Sequence, residues 1–97
     1  MAQVKYSTRS LENLERAFEF LATSDPASGS KAVTAIRAAI EVLARHPLIG
    51  RMAEAGLREL VISYGGTGYV ALYWLVPERD EVVVLAIRHQ RELDYPV

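Results

Sequence analysis

The first half of the chain contains two helix-length segments that each carry a single apolar stripe. In the segment 11–22, apolar side chains recur at helical spacing, at Leu11, Leu14, Phe18 and Leu21. The segment 31–45 repeats that spacing with Val33, Ile36, Ile40 and Leu43. The residues between them, TSDPASGS (23–30), contain the proline, glycine and serines that interrupt helices. The pattern predicts an antiparallel pair of helices whose stripes both need an apolar surface to cover them.

The second half supplies that surface as three strand-like segments separated by short turns. They are LRELVISY (57–64), YVALYWLV (69–76) and EVVVLAIR (81–88). The last contains six consecutive apolar residues and is therefore apolar on both faces, which is typical of a strand in the middle of a sheet. We therefore expect it to lie centrally, with the helices on one face.

Local signals complete the expected order of elements. A short strand at QVKYS (3–7) adds to the edge of the sheet, and Ser7 or Thr8 caps the first helix. His46-Pro47 ends the second helix, because the residue before proline is disfavoured in the α region. Residues 48–56 form a connector. The sequence predicts an α+β domain, β-α-α-β-β-β, with a helical hairpin packed on one face of a mainly antiparallel sheet.

Composition narrows the function classes. The 97 residues predict one domain spanning 1–97. There is no cysteine, which fits a reducing, cytoplasmic location, and the two histidines make no metal pattern, so we expect no metal and no cofactor. No apolar run approaches the ~20 residues of a membrane helix, so we expect no membrane partner. The net charge of −1 argues against extensive phosphate contacts, although residues 31–58 hold five cations against two acids.

The end of the last strand is the strongest candidate site. Arg88, His89 and Arg91 follow the apolar run, and Tyr95 comes shortly after. Arginine binds phosphate, histidine transfers protons near neutral pH, and tyrosine donates or stacks. With a carboxylate as base, these groups would suit RNA cleavage. The candidate bases are Glu54 and Glu59. The alternative is that these charges only solvate a strand end.

Two further features bear on this candidate site. Arg58 opens the first of the three strands. Because consecutive strands alternate in direction, Arg58 lies at the opposite end of the sheet from His89, unless the strand order or register brings the two residues closer. Tyr73 and Trp74 face opposite sides of their strand, so one of them lies outside the helix-covered core. An aromatic residue on an open face suits a partner surface.

Several segments in this order resemble the RelE/ParE superfamily of bacterial toxins. They are HPLIGR (46–51), LREL (57–60), YVALY (69–73) and IRHQRELDY (87–95). The resemblance covers essentially the whole chain and implies the toxin of a type II toxin–antitoxin, or plasmid stabilisation, system. It implies a cognate antitoxin that wraps the toxin and neutralises it. RelE-like members cut mRNA in the ribosomal A site, whereas ParE-like members inhibit DNA gyrase.

The resemblance also assigns residues. Arg58 matches the family's arginine at the start of the three strands, Arg88 and His89 fall where nuclease members place basic or acid–base groups, and Tyr95 matches their C-terminal tyrosine. We expect partner contacts at Arg51, Arg91, Tyr73 and Trp74.

Departures from the nuclease pattern favour the ParE-like branch. The connector has Arg51 and Glu54 where nuclease members often have lysines, Val70 follows Tyr69 in place of a common arginine, and the chain is mildly acidic. We therefore expect a ParE-like inhibitor of DNA gyrase. The alternatives are a ribosome-dependent mRNA endoribonuclease, the one case in which the chain is an enzyme, and a non-toxic member that only binds antitoxin. A homodimer and a toxin–antitoxin hetero-oligomer both stay open.

Overall fold

The computed structural model describes residues 1–96, in which five strands and two α-helices follow the order β1-α1-α2-β2-β3-β4-β5. The strands are β1 (Gln3–Tyr6), β2 (Arg51–Met52), β3 (Arg58–Tyr64), β4 (Thr67–Val76) and β5 (Glu81–His89). The helices are α1 (Thr8–Ala22) and α2 (Pro26–Glu41). Short 3-10 turns follow α2, β2 and β4 at Val42–Ala44, Glu54–Gly56 and Pro77–Arg79.

The strands form one sheet in the order β1-β5-β4-β3-β2, and the two helices pack on one of its faces. β1 runs parallel to β5, and all other neighbours are antiparallel. The predicted α+β fold with a helical hairpin on a mainly antiparallel sheet is confirmed. As expected, β1 lies at an edge and β5 lies between two neighbours.

The helical hairpin has a shorter turn than the sequence pattern predicted. α2 begins at Pro26, not at residue 31, so the predicted loop 23–30 was too long. Asp25 caps the helix because its Oδ1 accepts a hydrogen bond from the Ala27 N–H at 3.2 Å, and proline suits the first helical position, where its missing N–H is not needed. Gly29 then faces α1 so closely that an added Cβ would lie 2.7 Å from the Phe18 carbonyl oxygen.

The apolar stripe of α2 lies in the core as predicted, whereas that of α1 does so only in part. Ile36 and Ile40 of α2 and Leu43 of the 3-10 turn that follows it are fully buried. In α1, Leu14 is buried, but Leu11 and other members of the stripe stay partly exposed. The sheet contributes the opposite side of the core with Ile62, Tyr69, Ala71, Tyr73, Val82, Val84 and Ile87.

α1 packs against β5 through polar side chains because β1 is too short to cover the whole strand. The last pair of β1 and β5 is Tyr6 with Val84. Beyond it, the Ser7 hydroxyl donates to the Leu85 carbonyl oxygen at 2.9 Å. The Ile87 N–H then donates to Oδ1 of the buried Asn13 at 2.8 Å. The main chain of β5 is therefore satisfied without an added strand.

The connector contains a strand that the sequence pattern did not indicate. β2 is two residues long and extends the sheet by pairing Arg51 with Glu59 and Met52 with Arg58. Such a short strand has no detectable alternation of side chains. In residues 1–96, neither helix combines the length and the apolar character that crossing a membrane requires.

Candidate functional site

The sheet register keeps Arg58 away from the end of β5. Arg58 pairs with Tyr73 of β4, whereas His89 pairs with Tyr69, four positions earlier in that strand. Four residues of strand span about 13 Å. The Arg58 guanidinium instead donates to two carbonyl oxygens in residues 48–50. Arg58 therefore does not join the other candidate residues, as the alternation of strand direction suggested.

Four candidate residues do meet, and we call them the Glu59 cluster: Arg51, Glu59, Arg88 and Tyr95. The Tyr95 hydroxyl donates to Glu59 Oε2 at 2.5 Å, and Arg51 Nε donates to Oε1 at 3.1 Å. Arg88 Nη2 lies 4.0 Å from Oε2, and its guanidinium stacks 5.2 Å from the centre of the Tyr95 ring. The cluster lies on the sheet face opposite the helices, which we call the open face.

The Glu59 cluster fixes the protonation of its two central groups. The hydrogen bond from Tyr95 is the largest cause that lowers the pKa of Glu59, and Arg51 and Arg88 add to it against the effect of burial. Burial first, and then the hydrogen bond to Glu59, raises the pKa of Tyr95. At neutral pH the carboxylate is therefore ionised and the phenol is neutral. The lowered pKa makes Glu59 a weaker base and the raised pKa makes Tyr95 a weaker acid, so both shifts favour a structural contact over proton transfer.

The chain after β5 is held in place by arginine side chains. Arg88 Nη1 donates to the Glu92 carbonyl oxygen at 2.8 Å. From the start of α1, Arg9 Nε donates to the Pro96 carbonyl oxygen at 2.8 Å and Nη2 to that of Tyr95 at 3.2 Å. Arg9 is not among the residues predicted from the sequence, and no local signal marks it, because its partners lie more than eighty positions away.

Both ring nitrogens of His89 are engaged within the chain. Nδ1 accepts a hydrogen bond from the Arg91 N–H at 3.1 Å, and Nε2 pairs with the Thr67 hydroxyl. The neutral ring therefore carries its proton on Nε2. The ring also meets that of Tyr69 edge-on, with 5.3 Å between centres, and the His89 N–H donates to the Glu92 carboxylate at 2.9 Å. These contacts tie the end of β5 to the start of β4 and to the turn that follows.

A cleft of about 520 Å³ opens between α1 and the end of β5. Its walls include Ala17, Ile87 and Phe20, and Phe20 is 75% exposed. Arg16 and Arg91 also line it, and both are exposed. An apolar cleft with cations beside it suits a partner segment that has an apolar side and an acidic flank. Of the predicted partner contacts, Arg91 lies here.

Comparison with known proteins decides the family. The profile of the family described as "ParE toxin of type II toxin-antitoxin system, parDE" matches residues 4–94. The chain belongs to the ParE toxin family. This confirms the resemblance to the RelE/ParE superfamily that the sequence segments indicated.

Two curated relatives align with nearly the whole chain. It is similar to "Toxin RelE3" of Caulobacter vibrioides, with 34% identity over 95% of this chain and 98% of the relative. It is also similar to "Toxin RelE2" of that organism, with 32% identity over 96% of this chain and 100% of the relative.

Solved structures share the fold of this chain at low sequence identity. A chain of the chromosomal ParDE toxin–antitoxin system from P. aeruginosa matches with a TM-score of 0.77 and 20% identity, covering 92% of this chain and 96% of that one. A chain of the intact E. coli RelBE toxin–antitoxin complex matches with a TM-score of 0.69 and 13% identity, covering 95% and 100%.

The remaining candidate residues of this ParE-family chain lie outside the cluster and the cleft. Glu54 is exposed in the 3-10 turn after β2. Trp74 is half exposed on the open face, whereas Tyr73 is fully buried under the helices. The prediction that only one of these two aromatic residues belongs to the core is confirmed. The assignment of Tyr73 as a partner contact was wrong, because its side chain has no surface to offer and its hydroxyl binds the main chain near Gly50.

The Glu59 cluster predicts a pH dependence. The pKa of Glu59 is lower in the folded chain than in the unfolded chain, so the ionised carboxylate stabilises the fold. That stabilisation is complete above the ordinary glutamate pKa of about 4.3 and is lost as pH falls through the pKa of Glu59 in the folded chain. We expect Glu59→Gln to flatten the loss of stability between about pH 5 and pH 3, with a change under about 1 kcal/mol at pH 7 because solvent screens the cluster. Urea unfolding at several pH values measures this. Glu54→Gln is the control and should leave the profile unchanged; an unaltered profile in Glu59→Gln would contradict the prediction.

Proposed function

We propose that this ParE-family chain is the growth-inhibiting toxin of a type II toxin–antitoxin pair, neutralised by a cognate antitoxin, and that it inhibits DNA gyrase by binding. The observation that carries the proposal is that the candidate nuclease residues are separated or already engaged within the chain. Arg58 holds the connector, Glu59 and Tyr95 hold each other, and both nitrogens of His89 have partners.

Cleavage of RNA by the 2′-hydroxyl requires a base, an acid and cationic donors that converge on one phosphate. Here the ionised Glu59 already receives two hydrogen bonds, and Tyr95 is kept protonated. His89 lies on the helix-covered side of β5, whereas Glu59 lies on the open face. A toxin that acts by docking needs none of these groups to be free, so binding fits the geometry better than catalysis.

The surfaces of the chain suit an antitoxin that wraps around it. The cleft beside α1 would take a helical or extended segment with an apolar side, while Arg16 and Arg91 would pair with acids on that segment. Trp74 and Arg51 on the open face would contact the remainder of the wrapping chain. The toxin–antitoxin assemblies among the structural neighbours support this partner. We place the pair in the bacterial cytoplasm, where it would act in plasmid stabilisation.

Expression of the chain without its antitoxin tests the proposal. We expect growth to stop, with DNA synthesis falling before protein synthesis, and we expect the purified chain to inhibit supercoiling by DNA gyrase. As a control, His89→Ala should remain toxic, because no proton transfer by His89 is involved. Gyrase that keeps full activity at saturating toxin would contradict the proposed target.

A ribosome-dependent endoribonuclease is the second candidate. The observation in its favour is the direct contact of Arg88 and Tyr95 with the carboxylate of Glu59, since cations, a phenol and a carboxylate are the group types that RNA cleavage uses. In that case, protein synthesis should stop first and mRNA should be cut at the ribosomal A site. Full toxicity of a variant carrying both Arg58→Ala and His89→Ala would remove this candidate. Expression that leaves growth unaffected would instead indicate a non-toxic antitoxin-binding member.

A further inference from the structure

The segment 46–52, which comprises the loop before β2 and β2 itself, is clamped by side chains from two strands, and we call it the clamped loop. From β4, the Tyr73 hydroxyl donates to the Pro47 carbonyl oxygen at 2.7 Å and accepts from the Gly50 N–H at 2.9 Å. From β3, Arg58 Nη1 donates to the carbonyl oxygens of Leu48 at 3.1 Å and Gly50 at 2.8 Å. Four hydrogen bonds therefore hold the main chain at three residues, Pro47, Leu48 and Gly50.

Close packing adds to this clamp. Gly50 is buried, and a Cβ built on it would lie 2.5 Å from the Tyr73 hydroxyl oxygen and 2.9 Å from the Glu59 carbonyl oxygen. The loop thus sits against the core with its main-chain groups directed inward. A segment held in this way loses little conformational entropy when a partner binds to its outer side.

The outer side of the clamped loop is apolar. Leu48 is 60% exposed, Ile49 58% and Met52 67%. Large apolar side chains that are exposed singly need no explanation, but three of them within five residues form a patch. Since the underlying main chain is fixed by Tyr73 and Arg58, the patch cannot fold inward to hide itself. Its exposure is built into the fold.

Cationic side chains surround this patch. Arg45 precedes it and Arg51 lies within it, and both are exposed. Arg51 contacts Glu59, whereas Arg45 makes no ion pair with any residue among 1–96. Residues 45–59 contain three arginines (Arg45, Arg51 and Arg58) and two acids (Glu54 and Glu59), so the local charge is positive on a chain whose net charge is −1. A complementary partner surface is therefore apolar at its centre and acidic around it.

We propose that the clamped loop is the surface by which the toxin docks on its target, and that its occupant is an acid-bordered apolar pocket on the folded surface of DNA gyrase. The inference rests on the proposed function. Nucleic acid is disfavoured as the occupant because Leu48, Ile49 and Met52 carry no charge with which to bind its phosphates. An added antitoxin strand is disfavoured because the loop's main-chain groups at Pro47, Leu48 and Gly50 are already bonded inward. Protruding, rigid apolar side chains instead suit a concave pocket.

A double variant, Leu48→Ser with Ile49→Ser, tests this docking surface. Truncating central interface side chains weakens binding strongly, so the toxin concentration that half-inhibits gyrase supercoiling should rise at least about thirtyfold, which corresponds to about 2 kcal/mol. The matched control is Leu11→Ser with Leu93→Ser, which changes two exposed leucines outside the loop and should leave inhibition unchanged. Thermal unfolding of both variants should stay within a few degrees of the wild type.

The outcomes separate this inference from the proposed function. If the wild type inhibits gyrase and the loop variant inhibits it equally well, the docking surface is wrong and the proposed function stands. If the control variant loses as much inhibition as the loop variant, the loop has no special role and the inference is overturned. If the wild type leaves gyrase unaffected, both the proposed function and the occupant named here are wrong.

Discussion

Gly50→Ala is expected to destabilise the chain by about 2–4 kcal/mol, through overpacking and loss of buried hydrogen bonds. The added methyl group would lie 2.5 Å from the Tyr73 hydroxyl oxygen and 2.9 Å from a main-chain oxygen of Glu59, so both the ring and β3 would have to move. Movement of Tyr73 breaks its bonds to the clamped loop. For a chain of this size the change lowers the melting temperature by about 10–30 °C.

Thermal and urea unfolding measure the effect, and Gly66→Ala is the matched control. Gly66 has no heavy atom within 4 Å of an added Cβ, so its substitution should change stability by less than about 1 kcal/mol. A companion variant, Tyr73→Phe, keeps the ring and removes only the hydroxyl, with an expected loss of about 1–3 kcal/mol. Equal melting temperatures for Gly50→Ala and Gly66→Ala would show that the clamp does not hold the loop.

Asn13→Ala is expected to lower the free energy of unfolding by about 2–3 kcal/mol, through an unpaired buried group and lost packing. The Asn13 side chain is 5% exposed and receives the Ile87 N–H where β1 no longer covers β5. Without the amide, that N–H has no partner in the chain. Hydrogen exchange at Ile87 should accelerate together with the fall in urea midpoint.

The control for Asn13 is its exposed neighbour in α1. Glu12→Ala changes a surface side chain of the same helix and should stay within about 0.5 kcal/mol of the wild type. If Asn13→Ala were as mild as Glu12→Ala, polar attachment of α1 to β5 would contribute little to the fold. Helix α1 would then be held on the sheet by the packing of Leu14 and its apolar neighbours alone.

Local patterns in the sequence were sufficient for most of the architecture. Helical spacing identified α1 and α2, and the apolar run 82–87 placed β5 inside the sheet. The errors fall where a local rule competed with another. Serine and glycine after Pro26 suggested a loop, but the cap at Asp25 and the close approach of the two helices at Gly29 favour a helix there.

The candidate site could be predicted as a set of residues but not as an arrangement. The sequence alone singled out Arg88, His89 and Tyr95 because chemically capable side chains follow the last apolar run. It also indicated that one of Tyr73 and Trp74 leaves the core, since neighbours on a strand point to opposite faces. Which aromatic is buried depends on the face that the helices cover, and only packing decides that.

The sequence by itself determined the order and type of the two helices and the four longer strands, because spacing of 3.6 or 2 residues is a property of neighbouring positions. The tertiary structure alone decided the contacts: Tyr95 with Glu59, 36 positions away, and Asn13 with Ile87, 74 positions away. Such pairs depend on strand register and helix placement, where a shift of one residue moves every side chain to the other face. The physical reason is that distant contacts form only after the chain has packed.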